Sequence, residues 1–522
     1  MSRAPAAAGR PPRGRWTAVL AVALLLSAAA VWWNRGGQRA LDGSLDFTMI
    51  YAGARQVALG KDPYTWDATY DTFERAGGVG RPRDPRWFHS LYPPTTYLLL
   101  APVVGWMDWT AAKSAWLLIN LVATLGVAGW VWRARPPPVG PAAGLAAVAL
   151  WLLAACLHTA VAFGQPSVLV LALMLPSIRL TPRRPADDPG GLAWGDAAAG
   201  LALAVAAGLK PQLVLPWVAV RLALPRPGVA LQAVGWLALM GMATLAWGRF
   251  YAPEWWTHWQ AQLTSFQSTG LADPAVSNRY THQMIHLEPW LRRLLPGDGG
   301  VAPRLVQLGR LLPPAALVAT VIYLRHWTRS AAPGLPVTPQ TIGGTTRPGR
   351  GSAARGGVAS LTLVVTLMVV YHRGYDAVLL VVPAVWLWRQ WVESSAAGNG
   401  PETLPTTGPG DPPRADRWAR LGAAVGLGGV GAFLLPGPIV LEKLGRWWWS
   451  GHPAASDPTA AGAAAAESWS LWAWRLLAVG HQQWLLAVVC VSIAWLTLRR
   501  AGLGRRGHQG YGKANSIEGG GS

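Results

Sequence analysis

Apolar blocks alternate with polar connectors along almost the whole chain. The blocks run from Trp16 to Trp33, Tyr92 to Met107, Ala111 to Trp132, Pro141 to Phe163, Ser167 to Ile178, Ala197 to Leu209, Gln212 to Leu224 and Val229 to Trp247, then Leu305 to Leu324, Val358 to Val370, Ala377 to Trp388 and Trp418 to Val440, with a last run ending at Leu498. Many approach the ~20 residues that carry a helix across ~30 Å of hydrocarbon with its backbone satisfied internally. The pattern predicts an all-α polytopic membrane protein of about 11 to 13 transmembrane helices. Two long polar stretches, 34–90 and 248–304, become outer loops, and the first contains an imperfect amphipathic helix over 45–59 suited to the interface. Ser44 is its expected N-cap, which puts Asp46 in the first helical turn, where the dipole favours an ionised acid.

The alternation also sets the domain organisation. A basic N-terminus, 1–15, precedes a transmembrane core over 16–388 that includes both outer loops. A Gly-, Pro- and Arg-rich stretch, 325–357, and a second linker, 393–416, are expected to be mobile and cytoplasmic. C-terminal transmembrane helices over 417–498 lead to a basic tail, 499–522, whose end, Ser516 to Ser522, reads as an appended linker. One element breaks the alternation: two full crossings over 92–132 would return the basic Arg133 and Arg135 to the outside. Either the charge rule fails here or one segment does not fully cross, and a helix starting at Tyr92-Pro93-Pro94 that stays partly in the outer leaflet is the favoured reading. Pro211 removes a backbone donor and disfavours helix at Lys210, so the apolar run breaks there.

Composition changes little in this picture. The chain of 522 residues is 52% hydrophobic and 13% charged, with 32 Trp and a formal net charge of +21. In a soluble protein that excess would suggest nucleic acid, but here it sits in connectors such as Arg183-Arg184 and Arg499-Arg500, where cytoplasmic retention of basic residues accounts for it. No nucleic-acid partner is expected. Cys156 and Cys490 both fall in apolar runs, so neither a disulfide framework nor a cysteine metal site is expected.

With this topology, polar groups gather at the outer ends of the helices: Asp46 in the first loop, Gln165 in a Gly164-Gln165-Pro166 turn, Lys210 at the helix break, and His372, Arg373, Tyr375 and Asp376 at a later turn. Ionisable groups at membrane depth face a cavity or a partner. Asp46 is the candidate general base, set against the plainer reading of an acid at a helix start. Lys210 either snorkels to the interface or meets a lipid phosphate as a point charge. His372 is either an interfacial cap or a phosphate or sugar ligand, with Arg373 adding positive charge. Asp376 is as well suited to hold Arg373 or Tyr375 as to react. Trp255-Trp256 and Trp447-Trp448-Trp449 read as interface anchors. Asp42 and Asp46 do not form an Asp-x-Asp pair, and neither a metal nor any other cofactor is expected.

The ordered set Leu45-Asp46-Phe47, Tyr51-Ala52-Gly53-Ala54, Gly60-Lys61-Asp62-Pro63-Tyr64 and Tyr92-Pro93-Pro94 closely resembles the N-terminal signature of glycosyltransferase family 87. Gly164-Gln165-Pro166, Lys210-Pro211 and Tyr371-His372 with Tyr375-Asp376 follow in that family's order, so the resemblance spans roughly 16–388. It implies a GT-C-type fold and an integral enzyme of the plasma membrane whose active site faces outward. The donor would be a polyprenyl-phosphate sugar, mannose or arabinofuranose, and the acceptor a glycan or glycolipid of the cell wall. It also implies Asp46 as base of an inverting displacement, with Lys210, His372, Arg373 and Gln165 near the donor phosphate. Tyr92, Tyr375, Asp376, Asp62 and Tyr64 would serve the acceptor or support the site. The segment 372–376 departs from the histidine-rich version of the mannosyltransferases. One carboxylate favours transfer over hydrolysis, which usually takes two. A transporter or flippase of a lipid-linked glycan would need related halves, and none is evident. A structural scaffold would leave Asp46 freely replaceable.

Overall fold

The computed structural model describes residues 13–79, 83–84, 88–178, 194–224, 227–269, 284–294, 301–330, 341–342, 345–346, 350–369, 373–397, 412–433, 477 and 481–514. These form an all-α membrane protein. The sole described strands are two residues each, Thr341–Ile342 paired antiparallel with Thr345–Thr346.

Among the described residues five helices are long and apolar enough to cross a membrane: Trp16–Asp42, Trp109–Arg133, Gly228–Tyr251, Pro303–Tyr323 and His481–Arg499. A sixth span forms if Pro141–Leu153 and Ala155–Phe163, bent by 48° at Ala154, are taken together. That is fewer than the 11 to 13 expected from apolar runs alone, because several runs fold into short or broken helices. Pro94–Val104, with 11 residues, rises only about 16 Å, half of a bilayer core. It is the element that the charge pattern keeps within one leaflet. The run at 197–224 divides into Trp194–Leu209 and Pro211–Ala223 around Lys210, which has the non-helical φ −145° and ψ 79°. Large apolar side chains on the spanning helices point outward, among them Leu20, Leu118, Leu245, Leu311 and Ile322. In lipid such exposure carries no hydrophobic cost, and the helices must associate by close packing instead.

Small residues supply that packing. On the Pro412–Phe433 helix, Gly422, Gly426 and Gly429 lie against Trp495, Leu387 and Val489, and a Cβ on any of them would come within 3 Å of those side chains. Gly105 is tighter still: a Cβ there would meet the carbonyl oxygens of Ala101 at 2.7 Å and Ala54 at 2.8 Å. Thus the Pro94–Val104 helix presses on the first-loop helix with only Gly105 between their backbones.

Several sequence expectations need correction. The first helix does not stop at Trp33. It continues through a π-helical turn, Trp33–Gly37, to Asp42, so the first loop is shorter than 34–90. The first-loop helix is Phe47–Ala58, and nine of its twelve residues are buried, Phe47, Ile50, Tyr51, Ala52 and Ala54 among them. It is a core element, not an amphipathic helix lying on the interface. Ser44 is not its N-cap: its backbone has φ 41° and its hydroxyl turns back to the Ala40 carbonyl. Asp46, one residue before the helix, occupies the cap position without capping, since its side chain accepts no bond from the helix backbone. The stretch 325–357 is helical to Ser330 and again from Arg350, and the last helix runs on to Ala514. Arg279 to His282, His372 and Trp447 to Trp449 lie outside the described residues, as do most of 393–416 and of 434–480.

Because the Gly105 contact is with backbone that has no room to move, Gly105→Ala overpacks the join by about 1 to 3 kcal/mol. It should lower the thermal unfolding midpoint of the purified chain in detergent. Gly235→Ala, with no atom within 4 Å of the added methyl, should leave the midpoint unchanged or raise it.

Candidate active site

The turn that ends the Ala155–Phe163 helix holds the candidate site together. Gly164 adopts φ 68° and ψ 34°, a left-handed cap that a glycine reaches without steric cost. A Cβ at this position would strike Phe47 Cβ at 2.4 Å. The Gly164 carbonyl accepts from Trp116 Nε1 at 2.8 Å, and the Trp116 ring stacks on Phe47 with centroids 5.0 Å apart. On the other side, the Asp46 N–H donates to the Phe163 carbonyl at 2.9 Å. The first loop is therefore tied to this turn by a backbone bond, a ring stack and a contact that only glycine allows.

Gln165 and Ser167 leave the turn in two directions. The Gln165 amide Nε2 donates to Asp46 Oδ2, and its Oε1 accepts from the Tyr92 hydroxyl at 3.1 Å. Burial, reinforced by the Asp46 and Asp376 carboxylates, pushes the Tyr92 hydroxyl well above the usual tyrosine range, so it stays protonated and acts as a donor. This orients the Gln165 amide group with its nitrogen toward Asp46. Half-buried Asp46 is held in place by this amide.

Ser167 belongs to a second, more deeply buried group. Lys210 Nζ lies 2.6 Å from Asp376 Oδ1 and 2.9 Å from Ser167 Oγ, and the Ser167 hydroxyl donates to the same Asp376 oxygen at 2.6 Å. Both charged side chains are 4% exposed. The break at Lys210-Pro211 interrupts the helix, while Thr96 Oγ1 donates to the Gly208 carbonyl at 2.9 Å and brings the Pro94 helix beside the break. The Lys210 ammonium also sits 4.9 Å from the Tyr375 ring, whose edge meets Phe163. Burial raises the Tyr375 hydroxyl well above its ordinary range. The Asp46 and Asp376 carboxylates push the same way, and Arg373 opposes them. One phenol thus lies within electrostatic reach of the groups from the first loop, the loop before Pro94 and the 373–376 turn.

The structure therefore joins Asp46, Tyr92, Gln165, Lys210, Tyr375 and Asp376 into one constellation, with Arg373 at its edge in an extended segment bridged to Met284. Lys210 does not snorkel: it is buried and paired. Asp62 and Tyr64 are placed differently. Asp62 accepts from the Tyr64 N–H at 2.8 Å and meets His258 Nδ1 at 2.8 Å, which fastens the first loop to the Trp255–Ser268 helix of the second. The Tyr64 hydroxyl donates to the Tyr92 carbonyl at 2.9 Å, so it supports the site from behind. Trp255 and Trp259 surround the Tyr64 ring. Trp255 and Trp256 are thus not only surface anchors, since Trp255 packs into this cluster. Sequence reasoning missed Ser167 and Trp116. Ser167 follows Gly164-Gln165-Pro166 directly, and that adjacency was its one available signal. Among the described residues no three His, Cys, Asp or Glu side chains gather closely enough to hold a metal ion.

Breaking the buried pair should be far worse than replacing it. Asp376→Asn leaves a buried ammonium with a weakened partner and should cost about 3 to 5 kcal/mol. Lys210→Met with Asp376→Leu removes both charges and should regain most of the lost unfolding midpoint. Gly164→Ala, by forcing Phe47 aside, should disturb Asp46 with a smaller loss of stability. Thermal unfolding of the three purified variants checks the ranking.

No curated protein and no solved structure shows detectable similarity to the chain. Residues 90–338 match the model of glycosyltransferase family 87, a stretch that contains Tyr92, Gln165, Ser167 and Lys210 and lies between Asp46 and the 373–376 turn. It is the same family that the ordered motifs resemble, and the match over this region is to glycosyltransferases.

Proposed function

We propose that the chain transfers a sugar, arabinofuranose or mannose, from a polyprenyl-phosphate donor to a hydroxyl of a glycan or glycolipid acceptor at the outer face of the plasma membrane. The observation that carries this reading is the Gly164–Ser167 turn. It sets a half-buried carboxylate, held by the Gln165 amide, beside a buried cation, all at helix ends, with the family match running through the same turn.

Asp46 is the general base. It takes the proton of the acceptor hydroxyl as that oxygen attacks the anomeric carbon, while the bond to the lipid phosphate breaks on the opposite face. The product is inverted, and the phosphate leaves as the polyprenyl phosphate. A phosphate is already a good leaving group, so the protein's task is to stabilise its growing charge and to orient the two reactants. Lys210 uses two of its three donors on Ser167 and Asp376 and offers the third to the phosphate. Asp376 holds Lys210 in place, Arg373 adds positive charge for the phosphate, and His372 has the phosphate or sugar role that the family resemblance implies. Tyr92 and Gln165 hold the Asp46 carboxylate, with Tyr375 as the wall between the two networks. Asp62 and Tyr64 act indirectly, by fixing the loop that carries Tyr92.

Sugar transfer from a panel of polyprenyl-phosphate sugars, read by mass spectrometry of the lipids, tests the reading. The wild type should consume one donor, and Asp46→Asn should lower the rate by about 10²-fold or more with an unchanged unfolding midpoint. Full activity in Asp46→Asn sinks the base assignment. If no donor is consumed while a lipid-linked glycan crosses a reconstituted bilayer, the protein is a transporter.

A further inference from the structure

A cleft of ≈ 650 Å³ opens between the Val381–Ala397 and Pro412–Phe433 helices, lined by Trp391, Arg417, Trp418, Arg420, Leu421 and Ala424. It is remote from the candidate active site. From Asp376 the chain climbs through a 3-10 turn, Gly374–Leu380, into the 381–397 helix, and Trp391 lies about 22 Å further along that axis. The cleft and Asp376 are thus set well apart along this one stretch of chain.

The lining combines two kinds of chemistry. Trp391 and Trp418 are 44% and 56% exposed, large rings left at the surface where tryptophans settle at headgroup level. Among the described residues, neither Arg417 nor Arg420 pairs with a carboxylate, while Arg389, the cation on the facing helix, pairs with Glu393 at 4.0 Å. Leu421 and Ala424 continue the cleft one turn further along the helix as an apolar strip. Two guanidinium groups framed by indoles, with an apolar strip leading away, match a molecule that is anionic at one end and hydrocarbon at the other.

We propose that this cleft binds the headgroup of an anionic phospholipid of the surrounding bilayer. The phosphodiester lies between Arg417 and Arg420, whose planar forks donate to its oxygens in pairs. The two indoles bracket the glycerol region, and an acyl chain follows Leu421 and Ala424. A free phosphate would leave the apolar strip unused. A zwitterionic lipid would bring a quaternary ammonium toward two arginines. The occupied cleft would clamp the 381–397 and 412–433 helices together at the end where the linker joining them begins and ends.

Native mass spectrometry of the full chain, titrated with phosphatidylglycerol and with phosphatidylcholine in a neutral detergent, tests this independently of sugar transfer. Phosphatidylglycerol should be retained roughly tenfold more tightly than phosphatidylcholine. Arg417→Gln with Arg420→Gln should abolish that preference, and each single substitution should lower it by about half on the logarithmic scale. Lysine at both positions should restore part of it. Equal retention of the two lipids by the wild type overturns the proposal. So does a preference for phosphatidylglycerol that survives in the double variant, or in both single variants if the double variant does not fold. Either result would place the anionic lipid elsewhere, or fill the cleft with the chain's own 398–411 segment.

Discussion

A lysine buried beside an aspartate at a broken helix constrains the centre of this protein more than any other interaction. Removing two charges from water costs several kcal/mol each, so the pair Lys210 and Asp376 persists only with close geometry and further hydrogen bonds. Ser167 supplies those bonds, and it can do so only where the Gly164 turn delivers it. The same turn places Gln165 on Asp46 and leaves the Phe163 carbonyl for the Asp46 N–H. Elements distant in sequence, the first loop, the 155–163 helix, the break at 210 and the turn at 373–376, are therefore locked to one another by four consecutive residues, Gly164 to Ser167.

That arrangement sets two hydrogen-bonded networks on either side of one turn. In the deeper one, Ser167 bonds both members of the Lys210 and Asp376 pair. Asp46 is held by an amide whose orientation is set by the Tyr92 phenol, itself kept protonated by burial and by nearby carboxylates.

Much of this was legible in the sequence, and the reasons are physical. Apolar runs interrupted by basic connectors gave the membrane class, and proline at 211 marked the helix break at Lys210, because a missing donor and a steric clash act locally. Asp46, Gln165 and Asp376 stood out as polar groups at the ends of apolar runs. What escaped the pattern depends on tertiary context. The first-loop helix looked amphipathic and interfacial, yet it is wrapped on both sides by the 94–104 helix and by Trp109 and Trp116. Periodicity cannot distinguish lipid headgroups from protein as the partner of a half-apolar face. Among the described residues several apolar runs fold into helices too short to pass as full spans, because a short apolar helix and a long one have the same composition. Ser167 was invisible because a serine at a helix start is ordinary until its partner from 43 residues away is known.

The most direct test is a structure of the chain with a polyprenyl-phosphate sugar bound, determined by electron cryomicroscopy in a lipid nanodisc. The account predicts the donor phosphate within hydrogen-bond reach of Lys210 or Arg373. It also predicts the anomeric carbon facing Asp46 across a gap that admits one acceptor hydroxyl, with reacting atoms about 3 to 3.5 Å apart. A donor seated elsewhere, with its phosphate away from Lys210 and its sugar out of reach of Asp46, would contradict it.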